Sequence, residues 1–236
     1  MHHRSVWHTA RRLPYASLAL AAIALIIAAI PCLGTWLQYD RVAIAAGEFW
    51  RLCSGHWTHV SGEHLFWDVV MFTVLGSLCE LDHRGRCIAC MIGATILIPV
   101  VLWFGMPNMM IYRGLSGIDA ALFMLLAATH WRREYQAQRW GWVTVLTVVC
   151  LVFGAKVVYE AITGSALFVD SHAVGMTPVP LAHAIGALVG LGVGLVRPPD
   201  KITAPLCCVS WLAFPALWDY LVSNLNHSLP DTEEPP

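Results

Sequence analysis

Seven stretches of this chain stay apolar for about 20 residues each, the length that carries an α-helix across a hydrocarbon core. They lie near 13–37, 64–81, 87–106, 114–130, 142–163, 180–196 and 203–223. Hydrocarbon offers no partner to a backbone N–H or C=O, so such runs must satisfy themselves as helices. An all-α polytopic membrane protein is therefore expected, with a six-helix bundle and an extra C-terminal span. Composition agrees: 58% of the residues are hydrophobic and 12% charged, against about 25% charged in a soluble domain. The last stretch is the weakest. It holds Pro205, Pro215 and Asp219, and either crosses or lies along the interface.

The few charges serve orientation rather than partner choice. A net charge of −1 implies no nucleic-acid partner; the lipid bilayer is the partner expected. Arg4, Arg11 and Arg12 precede the first run, and Arg84 and Arg86 follow the second. Arg132, Arg133 and Arg139 follow the fourth, and Arg197 and Lys201 the sixth. All fall on one side if the N-terminus is cytoplasmic, leaving Arg41, Arg51 and Arg113 outside. The basic start resembles a signal peptide. Its apolar run is too long for one and no cleavage pattern closes it, so it is read as an uncleaved span. The expected layout is a cytoplasmic segment 1–12, one membrane domain 13–200, and an extra span with an acidic tail over 201–236. No internal repeat of the transporter kind is present.

Polar residues inside apolar runs are the candidates for function, because ionisable groups there cost several kcal/mol unless paired or hydrated. His64 and Asp68 share one helical face at the start of the second run. Ser116 and Asp119 open the fourth, and His183 lies near the start of the sixth. Under the orientation above His64, Asp68, Ser116 and His183 should all lie at one depth, in the outer third of the membrane. A serine beside a histidine is the minimum for nucleophilic catalysis: the imidazole takes the hydroxyl proton and returns it to the leaving group. Gly186, Gly190 and Gly194 form a ridge without side chains, able to bring the sixth helix onto Gly117, Ala120 and Ala121 of the fourth. Alone, Ser116 would read as a small residue in a helix contact and His183 as a core histidine; their shared depth favours the catalytic reading.

The bland readings win elsewhere. Cys87 and Cys90 form a CxxC with no second pair, so they are read as packing rather than metal or redox residues. His56 and His59 lie in the long loop 38–63 with no HExxH-type pair, and no metal or other cofactor is expected. That loop, with "EFWRLCSGHWTHVSGEH", suits a segment half-buried at the membrane surface, with His59 bracing it. Lys156 and Glu160 are expected to pair and snorkel outward, with a gating role for their helix as the alternative. Glu80 is expected to be a structural hydrogen-bond partner.

Together these residues resemble the rhomboid intramembrane serine proteases. The matching positions are Trp50-Arg51, His59, His64, Gly76, Glu80, the GLSG of Gly114 to Gly117, and His183 with Gly186 and Gly190. They cover about residues 45–196 in the family's order. "YRGLSG" with Asp at 68 is closer to the rhombosortase branch than to the common bacterial rhomboids. The resemblance implies Ser116 as nucleophile, His183 as general base and His64 as an oxyanion-hole residue. It further implies an integral protein of a bacterial inner membrane whose site opens outward. Transmembrane protein substrates, or C-terminal sorting tails in the rhombosortase case, would be its partners. A rhomboid-like pseudoprotease and a small transporter are the other classes.

Two positions depart from the family. Position 68 usually carries an Asn that donates to the oxyanion; an ionised Asp68 would repel it. Asp68 is either protonated, or holds His64 in a charged, donating form, which is the reading preferred, or weakens catalysis. Position 120 often carries a Tyr that stacks on the histidine, and here it is Ala. Asp119 is a candidate to orient His183 in its place, the alternative being that it pairs elsewhere or faces water.

Overall fold

The computed structural model describes residues 13–165 and 179–196. The segment 1–12, the expected seventh span 203–223 and the acidic tail lie outside the described residues. Helix α1 spans Tyr15–Ala29 and α2 Pro31–Leu37; a short strand β1, Tyr39–Asp40, leads into α3, Arg41–Ala45, and α4, Trp50–Ser54. Helix α5 covers Gly62–Gly105, followed by strand β2, Ile111–Tyr112, and helices α6, Ser116–Gln136, α7, Trp140–Thr163, and α8, Pro180–Leu195. The chain folds as an all-α integral membrane protein, with β1 and β2 pairing antiparallel as its one small ribbon among the described residues.

Helices α5 and α7 are long and apolar enough to cross a membrane, and α8 is a shorter apolar helix. Helix α5 is two arms meeting at His83, whose backbone leaves the helical region at φ −156° and ψ 91°. The first expected span, 13–37, is corrected. The helix stops at Ala29, Ile30 is extended, and α2 turns away by 111°. Pro31 is the cause: it has no N–H to continue the ladder, and its ring drives the preceding residue out of the helical region. The helix over the fourth run also extends past 114–130, to Gln136. Its added turns carry Arg133, which is paired with Asp82 at 2.7 Å.

Small residues set how closely the helices approach. A Cβ on Gly186 would lie 1.9 Å from the carbonyl oxygen of Gly117, one on Gly190 1.9 Å from that of Ala121, and one on Gly194 2.7 Å from the Ala128 Cβ. Gly186 and Gly190 of α8 are thus seated on the backbone of α6, and Gly194 on a small side chain, the close contact that lipid-embedded helices use in place of a hydrophobic drive. On the other flank, a Cβ on Gly76 would meet the Ser17 Oγ at 2.9 Å. Beside it Glu80 caps α1 from across the bundle. It accepts from the N–H of Ala16 and Ser17 and from the Ser17 hydroxyl, at 3.2, 2.9 and 2.9 Å. Pro14, at the cap position of α1 itself, offers no side-chain bond.

The loop 38–63 is folded rather than open. Arg51 is buried and donates to Thr35 and Gln38 carbonyls at 3.0 and 3.2 Å while pairing with Glu48 at 2.6 Å. His56 is fully buried, edge-on to Tyr112. Burial pushes its imidazole down to about 4, so the ring packs as a neutral group. Helix α7 is peripheral by contrast: its buried residues are Val143, Leu146 and Glu160.

Candidate active site

The chain enters α6 through Gly114, which takes φ +122°, a conformation L side chains rarely adopt. A Cβ there would also press on the His64 ring at 2.8 Å and on the Asp68 Oδ2 at 3.1 Å. The next residue, Leu115, donates its N–H to that same Oδ2 at 2.8 Å. Asp68 therefore grips the backbone one residue before Ser116. Its Oδ2 also faces the Nε2 of His64 at 3.2 Å and the Nε2 of His59 at 3.3 Å. The two rings meet edge to face, with centroids 5.3 Å apart. His59 does more than brace a loop: through Asp68 it joins the group that holds Leu115. Arg113 secures the same corner, donating to the Gln38 side chain and to the His59 carbonyl.

Ser116 is the first residue of α6. Amides in a helix's first turn have no intrahelical acceptor and point out of the helix end, with the positive end of the dipole behind them. From α8, the His183 Nε2 lies 2.9 Å from the Ser116 Oγ. The glycine seats make this possible: with Gly186 lying on Gly117, an imidazole one turn earlier on α8 falls level with Ser116.

The other imidazole nitrogen settles a question raised by the sequence. Asp119 is not the partner of His183: the Nδ1 faces the Glu160 Oε2 at 3.1 Å. The reason is helical phase. Gly117 and Ala121 carry the face of α6 that meets α8, so Asp119, two positions from each, points roughly 200° away. It is buried in the bundle, and its Oδ1 has no hydrogen-bond partner among the described residues. Glu160 also corrects the expectation of an outward-snorkelling pair. It does bind Lys156, Nζ to Oε1 at 2.8 Å, but its side chain is 2% exposed and turned inward. The sequence did contain the signal, an acid near the Ser116 end of the fifth run. It lies on the fifth run, apart from the second, fourth and sixth runs that carry the other polar residues.

Among the described residues no three His, Cys, Asp or Glu side chains converge as a metal site. What the site offers is a hydroxyl bonded to an imidazole, that imidazole backed by a carboxylate, and helix-terminal amides beside them. A family model described as the Rhomboid domain matches residues 46–199. No curated protein matches the chain.

Proposed function

The chain belongs to the rhomboid family of intramembrane proteases, and on that premise we propose that it is a serine endopeptidase with Ser116 as nucleophile and His183 as general base. The 2.9 Å bond between the Ser116 Oγ and the His183 Nε2 carries the reading. The Oγ attacks a substrate carbonyl carbon as its proton passes to Nε2, giving a tetrahedral oxyanion. Collapse breaks the C–N bond, and the same proton leaves with the amine. Water then repeats the sequence on the acyl-enzyme, releasing the acid and restoring Ser116.

The oxyanion forms next to the first turn of α6, whose amides are already aimed and need not reorganise. His64 is the side chain placed to assist. Its Nε2 faces Asp68, and a protonated ring would leave Nδ1–H for the oxyanion. In this reading Asp68 works at one remove, fixing His64 and the Leu115 amide. Asp68→Asn keeps an oxygen for Leu115, whereas Asp68→Ala leaves that buried N–H unpaired, at about 1–3 kcal/mol. Asp68→Ala is therefore expected to lose more turnover than Asp68→Asn, measured as cleavage rate in detergent.

Substrates are transmembrane segments of other proteins. A helical amide is shielded by its own hydrogen bonds, so a segment with small or helix-breaking residues would unwind into the site most readily. With the basic residues cytoplasmic, the site opens to the outer side and cuts there. In the rhombosortase variant of this reading the substrates are proteins carrying C-terminal sorting tails. The test is a fluorophosphonate probe on the purified full-length protein. Wild type should gain one adduct, mapped to Ser116, and Ser116→Ala none. A folded wild type that takes no label would instead be a client-binding pseudoprotease.

A further inference from the structure

We propose that Glu160 is a positioning residue for His183: from α7 it accepts the Nδ1–H and thereby selects the tautomer whose bare Nε2 faces Ser116. This rests on the Ser116–His183 pair acting as proposed above and adds a third member that the family match does not supply.

The argument begins with proton bookkeeping. For the Ser116 hydroxyl to donate to Nε2, that nitrogen must be unprotonated, so the neutral ring carries its hydrogen on Nδ1. A buried N–H needs an acceptor, and the Glu160 Oε2 stands 3.1 Å away. When Nε2 takes the serine proton the ring becomes a cation, and the carboxylate already beside it stabilises that charge without moving. The proton itself travels from Oγ to Nε2 and on to the leaving amine; Glu160 never carries it.

Placement makes a packing role a poor explanation. Glu160 sits in the last turn of α7, which Gly164 closes in a left-handed conformation. A carboxylate there has the wrong sign for the helix dipole, and burial adds a desolvation cost. Among the described residues of α7 it is the one buried position after Leu146. An apolar side chain would fill that space without either cost. Lys156, one turn back, offsets both, binding the Oε1 at 2.8 Å while Oε2 faces the imidazole.

Lys156 also makes the diagnostic substitution sharp. In Glu160→Gln the ammonium claims the amide oxygen, so the amide N–H₂ turns toward Nδ1. That makes Nδ1 an acceptor and puts the ring hydrogen on Nε2, the wrong side for a base. The second-order rate of fluorophosphonate labelling at Ser116 should fall at least about 100-fold, with the melting temperature close to wild type. Glu160→Asp keeps a carboxylate one methylene shorter and should retain more of the rate than Glu160→Gln. The wild-type proton spectrum should show a strongly downfield imidazole N–H that Glu160→Gln lacks.

A labelled wild type with Glu160→Gln labelling within about threefold of it overturns this inference and leaves the proposed function standing. A wild type that takes no label overturns the proposed function and this inference with it. If Glu160→Gln also loses stability, the wild-type spectrum decides: a missing downfield proton overturns the inference, and its presence supports it.

Discussion

His183→Ala is expected to lower peptide-bond cleavage by about 10⁴-fold or more while leaving the protein folded. The imidazole lies near the start of α8, and although it bonds Ser116 of α6 and Glu160 of α7, it does not carry the packing of α8 on α6. That contact is made by Gly186 and Gly190 against the α6 backbone and by Gly194 against the Ala128 Cβ, none of which involves the ring. Removing it takes away the imidazole that bonds the Ser116 Oγ among the described residues, and a serine hydroxyl at neutral pH is a poor nucleophile. Ser116→Ala should fall to the same floor, and the double variant no lower, because the two residues act as one unit. Cleavage of a transmembrane reporter in detergent, with melting temperature alongside, is the measurement. A His183→Ala variant that retains a tenth of wild-type turnover would show that the 2.9 Å bond is not the catalytic contact.

Gly186→Ala and Gly190→Ala should damage fold and activity together. Each new Cβ would sit 1.9 Å from a carbonyl oxygen of α6, where real Cβ atoms essentially never come under 3.0 Å. The obstacle is helix backbone, which cannot swing aside as a side chain can, so α8 must move away. Overpacking of this kind costs at least about 1–3 kcal/mol, and the two rows of backbone lose their contact along their length. The same displacement carries His183 off Ser116. Gly192→Ala is the internal control: it lies on the same helix with nothing within 4 Å of its Cβ. Its effect should stay within about 0.5 kcal/mol, with activity retained. Thermal unfolding and reporter cleavage of the three variants separate close approach from general glycine loss.

The sequence made the membrane class legible because apolar run length is a one-dimensional property. It also placed Ser116, His64, Asp68 and His183 at one depth, since depth follows from run boundaries and the positions of Lys and Arg. What it could not give is azimuth. Periodicity ranks faces within a helix but does not say which neighbour a face meets. Asp119 looked able to reach His183 until Gly117 and Ala121 proved to carry the α8 contact. Glu160 looked like half of a surface pair until α7 was seen to turn it inward. The bend at Pro31 was written in the chain, but run length outweighed a single proline. The role of Asp68 was open in the sequence because the choice depends on Leu115, whose amide arrives only through the φ +122° turn at Gly114.

The cap that Glu80 places on α1 has a consequence for assembly. Helix α1 leaves the ribosome before α5, yet the acceptor for its opening amides lies on α5, 63 and 64 residues later. Until that carboxylate arrives, water must serve the Ala16 and Ser17 N–H groups, which holds this end of α1 at the membrane surface. Docking of α5 releases that water and fixes the level at which α1 sits. On this account α1 takes its final level only once α5 has joined it.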